Sequence, residues 1–120
     1  MSLEENLAKC MSIEGALAAA LVDRASGMAS ATCGNPRNLD LTLAAAGSSN
    51  VLKAKQNVLR DLGIAEEIED ILITLSTQFH LIRPLSDASG KGLAVYLILD
   101  KAKGNLAMAR FKLGKIEKDL

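Results

Sequence analysis

The stretch "IEDILITLSTQFHLIRPL", residues 68–85, changes the rhythm of the chain from helical spacing to strict alternation. Ile71, Ile73 and Leu75 point one way, and Asp70, Leu72, Thr74 and Ser76 the other. After a turn near Ser76 to Gln78, Phe79, Leu81, Arg83 and Leu85 alternate with His80 and Ile82. This is the pattern of a β-hairpin. It also holds the only histidine in the chain.

Working outward, "SDASGKG" (86–92) reads as a loop and "LAVYLILD" as an apolar strand suited to the middle of a sheet. Asn105 is placed to cap a final helix with Leu106, Ala109, Leu113, Ile116 and Leu120 on one face. Gly114 costs that helix about 1 kcal/mol, so tertiary packing must hold it. Upstream, "GNPRN" (34–38) is a loop whose Asn38 is expected to cap a helix over 39–62, stopped by Gly63. Val51, Ala54, Val58 and Leu62 form the apolar stripe of its second half, and "LAAAGSSN" gives its first half a surface of small residues. A break at Gly47 is the alternative. At the N-terminus, Ser2 and Glu5 fit a capping box, followed by a stripe of Leu3, Leu7, Cys10 and Met11.

Residues 13–23, "IEGALAAALVD", suit two readings. Alanine propensity extends the first helix. Alternation gives a strand with Ile13, Leu17 and Leu21 on one face and Ala16, Ala18 and Ala20 on the other, leaving room for a close helix. "DRASG" would then be a hairpin turn and "MASATCG" the partner strand. The strand reading yields the order α-β-β-α-β-β-β-α, an α+β domain with a five-stranded antiparallel sheet. At 120 residues the chain fits one domain, 1–120, with no internal repeat.

Composition narrows the function. Net charge is zero and only Phe79, Tyr96 and Phe111 are aromatic, so a nucleic-acid surface of interleaved bases and rings is not expected. The charge is split, however. Asp61, Glu66, Glu67, Glu69 and Asp70 form an acidic stretch, and six basic residues from Lys101 onward face only Glu117 and Asp119. The basic helix lacks a lipidation signal, so no membrane partner is expected. No signal peptide or membrane span is visible, and two cysteines, Cys10 and Cys33, read as reduced thiols; the expectation is a soluble cytoplasmic protein.

Chemistry is sparse. One histidine and two cysteines without ligand spacing do not make a zinc site, and no cofactor is expected. "GKG" at 90–92 lacks the rest of a phosphate loop. A Cys-His nucleophile would need Cys10 or Cys33 beside His80, with Asp70 orienting it, and nothing local brings them together. His80 and Arg83, three residues apart on a strand, point to opposite faces. A partly exposed structural histidine is the simpler reading, and the chain is not expected to be an enzyme. What remains is surface. "IEDILITLST" carries no proline, lysine or bulge to block an edge, and the helix before it is rich in small residues. Both invite pairing with a second copy about a two-fold axis.

Over almost its whole length the chain resembles the Roadblock/dynein light chain domain family, particularly its bacterial members. The similarity runs from "IEGALAAALVDRASGM" through "LDLTLAAAG" and "IEDILITLSTQFHLIRPL" to "GLAVYLILDKAKGNLAMARFKL". These patterns mark a fold rather than a catalytic signature. The resemblance implies a profilin-like or longin-like sheet of order 2-1-5-4-3, the middle helix on one face and the terminal helices on the other. It makes 13–23 a strand. It further implies homodimers or heterodimers formed through the third strand and middle helix, here 68–77 and 39–62. The candidate interface is then Ala45, Ala46, Ser49, Leu52, Asp70, Leu72, Thr74 and Ser76. Family members are non-catalytic adaptors. Some are motor light chains; others dock on Ras-like small GTPases, and bacterial ones can stimulate GTP hydrolysis. The expected function is a homodimeric regulator of a small GTPase, with a purely structural dimerisation module as the alternative and a small-molecule sensor as a third class. Ala94 is smaller than the residue expected in the central strand, which predicts altered packing or a small void. No arginine is assignable as a finger in a GTPase site.

Overall fold

The structure, a computed structural model, describes residues 2–34, 39–85 and 92–120. Helix α1 (Leu3–Ala8) starts at Ser2, whose hydroxyl accepts from the Glu5 amide, and tightens into a 3₁₀ turn at Lys9–Ser12. Strands β1 (Ala16–Asp23) and β2 (Ala29–Cys33) form a hairpin, so the strand reading of 13–23 holds from Ala16 onward, while 13–15 form the turn that leads into it. Helix α2 (Leu41–Asp61) is followed by β3 (Ile71–Thr74), β4 (Gln78–Pro84), β5 (Leu93–Asp100), α3 (Leu106–Ile116) and a 3₁₀ turn at Glu117–Asp119. The sheet order is β2-β1-β5-β4-β3, with every neighbouring pair antiparallel.

The two faces of the sheet bury two different kinds of surface. On one, Leu81, Val95, Leu97 and Leu99 meet Leu7, Cys10 and Ile13 from the N-terminus and Ala109, Leu113, Ile116 and Leu120 from the C-terminus. On the other, Ala18, Ala20, Val22, Ile82, Tyr96 and Ile98 meet Ala45 of α2. Methyl side chains on both sides let α2 approach closely, as the alanines of β1 led one to expect. Ala16 and Leu17 depart from their expected faces, Ala16 packing on the α1/α3 side. The β1–β5 register shifts between Ala16 and Ala18, and Leu17 joins the α2 side with Ala18 and Ala20.

Helix α2 differs from expectation in three ways. The expected cap, Asn38, lies outside the described residues; Asp40 caps the helix, accepting from the Thr42 and Leu43 amides at 3.0 and 3.2 Å. The helix runs unbroken through Gly47. Its large apolar stripe faces away from the sheet: Val51, Val58 and Leu62 stay 40%, 45% and 65% exposed, and Ala54 is exposed too. The buried face is instead Ala45, Ser48, Ser49 and Leu52. A sheet paved with alanine selects the small stripe for contact, because larger side chains would hold the helix off. β3 is also shorter than the expected 68–77, spanning only Ile71–Thr74.

Candidate dimerisation surface

β3 and β2 are the edges of the sheet, and they are unlike. In β2 the pairing jumps from Leu21↔Ala31 to Val22↔Ala29, leaving Ser30 as an extra residue. Such a bulge twists an edge and discourages a further strand. β3 pairs with β4 without interruption from Ile71↔Ile82 to Thr74↔Phe79. The hairpin closes with the Leu75 amide donating to the Gln78 carbonyl at 2.8 Å. Antiparallel pairs alternate between bonded and non-bonded, so Leu75, Ile73 and Ile71 direct their backbone groups into the sheet. The amides and carbonyls of Leu72 and Thr74 therefore face the open edge. This edge is unblocked.

The structure distributes the expected interface residues unevenly. Leu72 turns its side chain to the α1/α3 core while its backbone faces the edge. Asp70 accepts two bonds from Arg110 of α3, at 3.0 and 3.1 Å. Thr74 and Ser76 are exposed. Ala45, Ser49 and Leu52 are 0%, 4% and 1% exposed and face the protomer's own sheet, so these three leave the candidate surface. Ser49 also donates to the Arg24 carbonyl at 3.0 Å, a bond within the protomer. Ala46 is half-buried against the β1–β2 turn at Gly27. In their place stand the outward residues of α2: Leu43, 71% exposed, then Gly47, Val51, Ala54, Val58 and Leu62. Gly47 has open space over its α-carbon.

Between α2, which lies chiefly over β1 and β2, and the β3 edge, the sheet presents half-buried Ile71, Ile73 and His80. His80 is bonded within its own protomer. Its neutral ring donates from Nε2 to Gln78 Oε1 at 2.9 Å and accepts at Nδ1 from the Tyr96 hydroxyl at 2.7 Å. Burial lowers the His80 pKa from its usual 6.5 and raises that of Tyr96. Cys10 and Cys33 are free thiols on the opposite side of the sheet, against α1, so no Cys-His pair exists. Arg83 also lies opposite His80, where its guanidinium donates to both carboxylate oxygens of Glu117 at 3.0 and 3.2 Å. Beside Ala94 the expected void is present, a cleft of about 10 Å³ lined in part by Ser48, Leu52 and Tyr96. That is scarcely the volume of one water. Among the described residues no three His, Cys, Asp or Glu side chains gather as metal ligands, and no helix is long and apolar enough to cross a membrane.

This arrangement of sheet and helices defines the Roadblock fold. A Roadblock/LC7 domain from Streptomyces avermitilis superposes with a TM-score of 0.83 at 12% identity, over 99% of this chain and 94% of that one. MglB of Myxococcus xanthus gives 0.81 at 16% identity, over 96% and 88% of the two chains. The gliding protein MglB of Thermus thermophilus gives 0.78 at 18%, over 94% and 81%. No protein-family model matches the sequence, and no curated protein is significantly similar to it. The chain has the α+β fold of these bacterial Roadblock and MglB structures.

Proposed function

We propose that the protein is a homodimeric, non-catalytic adaptor of the bacterial cytoplasm that binds a Ras-like small GTPase. The observation that carries the dimer is the pairing of an unblocked β3 edge with an exposed apolar stripe on α2. Joining two copies edge to edge about a two-fold axis satisfies the backbone groups of Leu72 and Thr74. It also gives the outer faces of the two α2 helices something to cover. Monomeric proteins seldom leave a large contiguous apolar surface open.

The GTPase half of the proposal rests on the sequence resemblance, with the likeness to MglB structures in support. Arg83 and Arg110 are each held by a carboxylate of their own chain, Glu117 and Asp70, and neither is free to act as a finger. With no arginine assigned as a finger, the proposal is that any acceleration of hydrolysis comes from ordering the residues of the GTPase itself. The test is binding to Ras-like GTPases from the same genome, each loaded with GDP or a non-hydrolysable GTP analogue. State-dependent binding, with hydrolysis faster or unchanged, is expected. Binding indifferent to nucleotide across the set would remove the GTPase role and leave a structural dimerisation module.

A further inference from the structure

The C-terminal basic excess becomes sharper in three dimensions, because Glu117, Asp119 and Asp70 are already engaged. Glu117 is held by Arg83, Asp119 by Lys9 at 3.1 Å, and Arg110 is neutralised by Asp70. Among the described residues, no carboxylate lies within ion-pairing distance of Lys112, Lys115 or Lys118. Met108, Phe111 and Lys115 follow i, i+3 and i+7 along α3, opposite the buried line of Ala109, Leu113 and Ile116. Phe111 is 61% and Met108 47% exposed, and the Lys115 ammonium sits 4.6 Å from the Phe111 ring centroid. An aromatic anchor is thus presented on the surface beside three lysines that pair with no carboxylate among the described residues. The face lies across the sheet from α2, so contact between two α2 helices does not cover it.

We propose that the outer face of α3 docks an acidic polypeptide segment, an amphipathic helix that sets an apolar side chain against Met108 and Phe111 and its carboxylates against Lys112, Lys115 and Lys118. Charge complementarity selects this occupant. A nucleic acid needs several stacking rings, and α3 offers only Phe111. An anionic bilayer would also meet Glu4 and Glu5, exposed on α1 in the same layer. A helix as long as the 11 residues of α3 can engage the face without approaching them.

The experiment is fluorescence anisotropy with a labelled synthetic helix of Glu and Leu matched to α3 in length. Its Lys-for-Glu counterpart, phosphatidylcholine–phosphatidylserine vesicles and poly(U) are measured alongside. The acidic helix should bind at least about tenfold tighter than the basic one, a difference of about 1.4 kcal/mol. Its affinity should fall as salt shortens the screening length. Phe111→Ser and Lys115→Glu should each weaken it by about tenfold, while Lys55→Glu on exposed α2 and the mass in solution should be unchanged. The proposal is overturned if the acidic helix fails to outbind the basic one. It is equally overturned if either α3 variant binds within twofold of the parent, or if vesicles or RNA bind more tightly than the peptide.

Discussion

Val51 lies at the middle of the 21-residue α2, on its outward stripe. Two α2 helices crossing antiparallel about a two-fold axis would bring Val51 against its own copy. A valine side chain contributes about 1.5–3 kcal/mol when fully buried, and Val51 still has 40% of its surface exposed. Covering that remainder is worth about 0.6–1.2 kcal/mol per protomer, and about 1.2–2.4 kcal/mol for the pair. Val51→Arg forfeits this and adds two like charges at the axis, worth up to about 4 kcal/mol at 4 Å before the side chains swing apart. A net loss of about 3 kcal/mol is expected, with the repulsion partly relieved, which makes the dimer about 100-fold weaker. The protomer should be spared, because substitutions at exposed sites usually change stability by less than about 0.5 kcal/mol. Sedimentation velocity over a dilution series measures the dissociation constant, and circular dichroism checks the fold. A Val51→Arg constant within threefold of the parent would refute the placement of the helix stripe in the interface.

Other expectations follow from particular contacts. His80 has a folded pKa below its unfolded 6.5, so the unfolded state binds the extra proton first. Its contribution is complete above pH 6.5 and shrinks as pH falls toward the folded value; His80→Gln should flatten the thermal midpoint between pH 7 and 5, and an unchanged slope would contradict this. A β-carbon at Gly114 would meet only the flexible Arg83 guanidinium, at 3.6 Å, so Gly114→Ala should stabilise urea unfolding by up to about 1 kcal/mol. Gly34 is the opposite case, with φ +79° and the Leu17 carbonyl where a β-carbon would go, and Gly34→Ala should destabilise by about 2 kcal/mol or more. Burial pushes the Cys10 thiol up to about 12, so iodoacetamide at pH 8 should leave it unmodified until urea is added; labelling in the folded protein would show that α1 opens readily.

Much of the fold was legible because alternation and capping are local. Residues 71–85 announced their hairpin, and Ser2 and Asn105 announced their helix starts. The direction of the edge-strand backbone was legible too. Alternation placed Asp70, Leu72, Thr74 and Ser76 in one class, and the hairpin geometry turns the backbone of two of them, Leu72 and Thr74, outward. The helix half of the candidate interface was misread for a physical reason. α2 carries two apolar stripes, one small and one large, and periodicity alone favours the large one as core. Which of them is buried depends on the surface opposite, here Ala18 and Ala20. The alanines of β1 were the signal that Ala45, Ser49 and Leu52 would turn inward. The pairing of Arg83 with Glu117, 34 residues apart, had no local signature at all.

The proposed dimer completes each protomer at its β3 edge and α2 stripe. Light scattering at micromolar concentration tests it directly. A mass of twice 12.7 kDa, falling to 12.7 kDa when Thr74→Pro removes the outward amide of the edge strand, is the predicted result. A parent protein already at 12.7 kDa would contradict it.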